Sequence, residues 1–341
     1  MNQAPGARHG FVVPPLAGPV TGGTLYNREL CAALVDARLP IEVCSVGDAG
    51  LAVLLGAASS LWVDSLYLAE LPGLKRSAAG QVGLITHYLP SFVALGRAAH
   101  GSELSLEERR ALDAADSFLV TSPFMAEALR SLVASQKSIL VVSPGTHARP
   151  MPRAKRAALG LDAVLIGNVV PGKRVEPLLR ALADVLRPED SLRLSIVGSL
   201  DADRAYAERC RRLSADSEAL ALRVTWCEAC TPERTWSILG ESDLLLSASS
   251  MESYGMALAE ARVIGVPILS CVGGNAAAHV VPEAGGQLVS SVSQLGAACV
   301  ELARAPAHAR QRLEQARREA LPARSWPRVA QEFVSQLACL E

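Results

Sequence analysis

Residues 243–271 read DLLLSASSMESYGMALAEARVIGVPILSC. Three leucines after Asp243 make a short, fully apolar strand that ends in small polar residues near position 248. SSMES is a turn, and YGMALAEARVI carries its apolar residues at helical spacing from about Tyr254. VPILSC is a strand again. Strand, helix and strand in so short a span form a crossover unit, and crossovers of this kind join parallel strands.

The same alternation extends on both sides. Downstream, QLVS adds one more strand. Upstream come AVLIGNVV with KRVEPLLRALADVL, LRLSIVGS with ADRAYAERCRRLSA, and LRVTWCEA with TPERTWSILGES. Each is a strand followed by a helix. The polar, proline-bearing stretch THARPMPRAKRAALGLD (146–162) reads as a linker. Before it lies another series of short strands: HGFVVPP, IEVCSVG, SLWVDSL, VGLITHYLP, SFLVTSP and SILVVSPG. A glycine-rich loop, LAGPVTGGT, leads from the first of these into the helix LYNRELCAALVDA, with Leu25, Leu30 and Leu34 inward. The expectation is an α/β protein of two Rossmann-like parallel-sheet domains facing each other across a cleft. The boundaries read as 1–148 with a returning helix at 325–341, and 149–324.

Composition narrows the function classes. Of 341 residues, 50% are apolar and 20% charged, an ordinary globular mixture. The 33 basic and 34 acidic residues nearly cancel, which argues against a nucleic-acid partner. Lysine occurs only at Lys75, Lys137, Lys155 and Lys173, a bias that reads as genome composition. MNQAPGARHGFVVPPLAG lacks the pattern of a signal peptide. The longest apolar run, AGLAVLLGAASSLWV (49–63), is too short to span a bilayer. A cytoplasmic protein is expected, with peripheral contact at the inner membrane face left open. Of eight cysteines only Cys227 and Cys230 form C-x-x-C, without the companions of a metal set, so reduced thiols are expected.

Glu252 and Glu260 stand eight positions apart around Gly255. Glu252 falls at the turn before the helix, and Glu260 about two turns inside, rotated by roughly 80° at 100° per residue. The free amides of residues 253–256 at a helix N-terminus suit an anion, and Gly255 lets a ligand approach the backbone. Two carboxylates placed this way can accept hydrogen bonds from two hydroxyl-rich groups flanking a phosphate. A capped helix with Glu260 in solvent has the same spacing.

ESYGMALAEARVIGVPILSCVGGNAAAHVV resembles the E-x7-E segment of retaining, family 4 type glycosyltransferases of the GT-B fold, matching it at Glu252, Ser253, Tyr254, Gly255, Glu260, Ala261, Gly265 and Pro267. The resemblance implies that Glu252 contacts the donor sugar. It places the backbone of Ser253, Tyr254, Gly255 and Met256 on the sugar and diphosphate, and Glu260 on the ribose. GNVVPGKRVEPLLRAL (167–182) resembles the family's diphosphate segment, with Lys173 as the cation that stabilises the leaving group. Asn168 stands where the family has arginine, and Arg174 is the candidate to compensate. PLAGPVTGGTLYNREL resembles the first glycine loop, giving Gly22 and Gly23 to the donor diphosphate or the acceptor. His87 in LITHYLP falls where the family carries a histidine near the donor sugar, and VTSPFMAEAL, with Ser122, resembles a cleft-lining segment. CEAC (227–230) occupies a loop that in the family lies near the base, and ARSWPRVAQEFVSQL (323–337) resembles the final helix that returns to the first domain.

Asp201 and Asp203 in the stretch DAD open a helix, where acidic residues suit the N-terminus, and the family implies no required metal. The implied reaction moves a hexose-type sugar from a nucleoside-diphosphate sugar, UDP favoured, to an acceptor hydroxyl of a glycan, a lipid-linked compound or a small molecule. The alternative is a catalytically weak nucleotide-sugar-binding or regulatory subunit, for which Asn168 is the supporting feature. A nucleotide-sugar epimerase would need acid and base residues that the sequence does not offer.

Overall fold

The computed structural model describes residues 8–17, 20–150, 160–304 and 306–339. The first seven residues of the stretch read for a leader and the middle of the expected linker therefore lie outside the described residues. The chain divides into two compact units: residues 1–146 with 324–341, and residues 147–323.

In the first unit the strands are β1 (His9–Val12), β2 (Ile41–Cys44), β3 (Ser60–Asp64), β4 (Gln81–Thr86), β5 (Ser117–Val120) and β6 (Ser138–Val141). They pair in parallel in the order β2-β1-β3-β4-β5-β6. Helices α1 (Gly22–Asp36), α2 (Leu51–Ala57), α3 (Leu71–Ser77), α4 (Pro90–Leu95), α5 (Leu106–Ala114) and α6 (Pro123–Arg130) connect them. The longest apolar run of the sequence is thus cut into α2 and β3, and among the described residues no helix is long and apolar enough to cross a membrane.

The second unit holds β7 (Leu161–Ile166), α7 (Val175–Val185), β8 (Leu192–Val197), α8 (Arg204–Asp216), β9 (Val224–Glu228), α9 (Pro232–Glu241), β10 (Leu244–Ser247), α10 (Met256–Ile264), β11 (Ile268–Cys271), β12 (Gln287–Val289), α11 (Val292–Arg304) and α12 (Pro306–Arg318). Its sheet is parallel in the order β12-β11-β10-β7-β8-β9, the Rossmann arrangement. β7 begins at Leu161, so the last two residues assigned to the linker are already strand. They pair with Leu192 and Arg193 of β8.

The near-continuous apolar strands are explained by two covered faces. Leu244 and Leu246 pack with α7 and α11, whereas Leu245 packs with α9 and α10. In the first unit, Phe11, Trp62, Ile85 and Leu119 meet α1 on one side of the sheet. The same core includes α13 (Trp326–Leu337), whose Phe333 ring lies 5.9 Å from Phe11 and 5.5 Å from Trp62. Gln336 completes the edge strand: its Oε1 accepts from Val141 N at 3.0 Å and its Nε2 donates to Val141 O at 2.9 Å.

Both sheets have a point where the connections reverse direction. It falls between β1 and β3 in the first unit and between β7 and β10 in the second. The carboxyl ends of such strands are where open α/β sheets bind ligands.

Candidate functional site

In the second unit, the loops leaving β7 and β10 are bonded to each other. Gly172 O accepts from Ser250 N at 2.9 Å and from Ser250 Oγ at 3.2 Å. Arg174 sits in the left-handed region (φ 49°) at the start of α7. Its Nε and Nη2 donate to the carbonyls of Ala248 and Ser249 at 2.5 and 2.8 Å. Lys173 ends a 3-10 turn, and its Nζ meets Glu252 Oε1 at 2.5 Å. Both partners keep some exposure, 29% and 14%, so the pair is at hand rather than entombed.

A third segment holds the Glu252 loop from behind. Asn275 N donates to Glu252 O at 2.7 Å, and Asn275 Nδ2 donates to Tyr254 O at 2.8 Å. His279 Nε2 donates to the same carbonyl at 2.7 Å, with its ring edge-on to Tyr254. Burial pushes the His279 imidazole below its ordinary value, so it serves as a neutral donor. Gly274 is required here because a Cβ would lie 2.2 Å from Glu252 O.

Helix α10 begins at Met256, two residues later than its spacing suggests, because Gly255 takes the N-cap at φ +93°. A non-glycine residue is strained there, and Gly255 has no side chain to cap with. The unpaired N–H groups at the helix start are thus those from Met256 onward, while Ser253 and Tyr254 belong to the loop. Glu260 lies one turn further along. Burial pushes its carboxyl up to about 7, a hydrogen bond with the Trp236 side chain pulling the other way.

Asn168 does not join this group. Its Oδ1 accepts from Ser199 N at 3.1 Å, tying the end of β7 to that of β8. Arg174, the candidate replacement for the missing arginine, spends two of its donors on backbone carbonyls and acts as a brace for the Glu252 loop.

The first unit has its own polar cluster. Asn27 of α1, Asp64 at the carboxyl end of β3 and His87 just after β4 are all buried. Asn27 Nδ2 donates to Asp64 Oδ2 at 2.5 Å, and Leu66 N donates to Asp64 Oδ1 at 2.7 Å. His87 Nε2 lies 2.9 Å from Asn27 Oδ1 and 3.3 Å from Asp64 Oδ2. Burial alone would raise the Asp64 carboxyl; the hydrogen bonds from His87, Leu66 and Asn27 hold it below its ordinary value. Gly22 and Gly23 are not in a loop. They form the first turn of α1, capped by a reciprocal Thr21–Thr24 box. Gly23 matters for its missing side chain, since a Cβ would stand 3.0 Å from His87 Cδ2. Leu25, expected inward, is only half-buried; Tyr26 takes the core position. Ser122 caps α6, accepting from Met125 N at 3.2 Å.

Asn27, Asp64, Asn275 and His279 carry no assignment in the sequence reading. Asp64 closes an apolar strand, and Asn275 and His279 are four apart on one turn, which are the signals available. Among the described residues no group of three or more His, Cys, Asp or Glu is placed to hold a metal. Asp203 caps α8 instead, accepting from Tyr206 N. All eight cysteines are free; Cys230 Sγ donates to Cys227 O at 3.3 Å.

Residues 160–319 match the family model of glycosyl transferases group 1. Over 205 residues the chain is 32% identical to D-inositol 3-phosphate glycosyltransferase of Rhodococcus jostii, covering 53% of this chain and 45% of that protein. The Rhodococcus opacus protein of the same name is 34% identical over 158 residues, or 43% and 35% of the two chains. The matches thus span less than half of these relatives. Among solved structures, sucrose-phosphate synthase from Thermosynechococcus elongatus superposes with TM-score 0.78 at 19% identity, over 98% of this chain and 99% of that one. Anabaena HepE in complex with UDP-glucose gives 0.75 at 14%, over 97% and 99%. The chain has the GT-B fold, and its residues 160–319 are similar to the group 1 glycosyl transferases.

Proposed function

We propose that the protein is a retaining glycosyltransferase that moves a hexose-type sugar from a nucleoside-diphosphate sugar to an acceptor hydroxyl. The observation that carries this reading is the Lys173–Glu252 pair beside the Gly255-capped start of α10, at the reversal point of the second sheet. A cation, a carboxylate and a helix start with no side-chain cap are what a sugar diphosphate needs. Lys173 turns from Glu252 toward the diphosphate, Glu252 then accepts from sugar hydroxyls, and Glu260 accepts from the ribose. The bond between C1 and the diphosphate oxygen breaks with its electron pair leaving on the diphosphate. The acceptor oxygen bonds C1 on the same face, and its proton passes to the departing phosphate oxygen. No metal is required in this scheme, because Lys173 and the helix start carry the charge stabilisation.

UDP is the favoured nucleotide, since HepE structures were determined with UDP and with UDP-glucose. The relatives' name, D-inositol 3-phosphate glycosyltransferase, makes a small polyol an acceptor to test, beside glycans and lipid-linked compounds. The engagement of Asn168 and Arg174 within the protein favours a second reading, in which the unit binds a sugar nucleotide without turning it over.

Thermal unfolding without metal, against UDP, GDP and their sugars, tests the proposal, because a ligand of the folded state raises the midpoint. One base with one sugar is expected to shift the midpoint, and Glu260→Ala to abolish the shift. No shift with any nucleotide overturns the reading. A shift without turnover on any acceptor selects the second.

A further inference from the structure

The cluster in the first unit contains more information than the presence of a histidine. Asp64 and Asn27 come from different elements and are each 1% exposed, so their only hydrogen-bonding choices are the ones they make with each other and with their neighbours. An ionised carboxylate only accepts. Asn27 must therefore turn its amide nitrogen toward Asp64, as it does at 2.5 Å, and this turns Oδ1 toward His87. Both atoms that face His87 Nε2, Asn27 Oδ1 and Asp64 Oδ2, are then acceptors. Nε2 must carry the proton, and in the neutral ring Nδ1 is left with its lone pair. Among the described residues Nδ1 meets no hydrogen-bonding partner, and it is not one of the buried unpartnered atoms. Turning the imidazole over would put Cε1 in place of Nε2 against both acceptors and lose their hydrogen bonds.

We infer that Asp64 and Asn27 are positioning residues that lock His87 as its Nε2–H tautomer, so that Nδ1 is presented as an acceptor to a hydroxyl of the sugar or of the acceptor substrate. A phosphate oxygen, itself an acceptor, is refused by the same atom. The inference rests on the reading of the protein as a glycosyltransferase for the identity of the hydroxyl, and on the hydrogen-bond network alone for the tautomer.

The test is a long-range proton–nitrogen correlation spectrum of the full chain labelled with [15N]histidine. The protein has six histidines, and His87 is assigned by the signal lost in His87→Gln. The wild-type protein is expected to show the Nε2–H pattern at His87, and Asp64→Asn or Asn27→Ala to show a mixture. A wild-type Nδ1–H pattern, or a mixture already in the wild type, overturns the inference, and that spectrum needs no variant to fold. Next, UDP-glucose, UDP-N-acetylglucosamine and GDP-mannose are each compared with their bare nucleotides, and myo-inositol is added separately. A shift of Nδ1 on going from nucleotide to sugar nucleotide identifies the donor's hydroxyl; a shift with myo-inositol identifies the acceptor's. Other signals moving while Nδ1 stays fixed defeats the inference and leaves the transferase reading standing. No signal moving with any ligand defeats the substrate contact and the transferase reading together.

Discussion

Glu260 is a carboxyl group in a place that resists charge. Its value of about 7 against an ordinary 4.5 fixes a sign. The folded state holds the proton more tightly than the unfolded chain, so the stabilising contribution is complete below pH 4.5 and is lost as pH rises through about 7. At 1.36 kcal/mol per unit, the loss is at most about 3 kcal/mol. Glu260→Gln removes the titration, and the difference in stability between variant and wild type should grow from pH 5 to pH 8. Denaturant unfolding at both values checks it; a constant difference would refute it. Lys173 makes the second prediction at this scale. Lys173→Met removes the charge that the departing diphosphate needs and leaves Glu252 unpaired. Turnover should fall by on the order of a hundredfold or more, while the melting point moves little because the pair is partly solvated. Parallel kinetics and thermal melts separate the two effects.

Among the elements, the start of α10 depends on Gly255. Alanine there would adopt φ +93° and bring a Cβ to 3.1 Å from Leu258 Cδ1. A cost of about 1–2 kcal/mol is expected from the backbone alone, measurable as a lower denaturant midpoint with an unchanged slope. The helix α13 gives a larger effect. Phe333 is fully buried against Phe11 and Trp62, and Phe333→Ala should cost about 3–5 kcal/mol. Elements of this kind were legible in the sequence because their signals are local: apolar runs, helical spacing, and a glycine before a helix. The spacing places the start of α10 two residues early because Tyr254 is compatible with a first turn, whereas the hydrogen bonds of Asn275 and His279 to its carbonyl hold it in the loop. Local pattern reads the glycines of α1 as a loop because it does not reveal that the ring of His87, just after β4, lies against Gly23.

For the whole molecule, the sequence offers as candidates one continuous stretch, residues 252–260, together with the single positions Lys173 and His87. The Asn27, Asp64 and His87 cluster draws on three elements separated by 37 and 23 residues, and no spacing rule joins them. The paths of the chain have a further result. It leaves the first unit at residue 146, builds the second unit completely, and returns at residue 324 to finish the first. During synthesis, the face of Phe11 and Trp62 must therefore wait until the whole second unit has been translated before α13 can cover it. The second unit has no such wait, since all its strands and helices are consecutive. Nascent chains stalled so that residues up to 323 have emerged should show a protease-resistant second unit and a digestible first one, and resistance of the first should appear only once α13 is outside the ribosomal tunnel. The unit begun first would be the unit completed last.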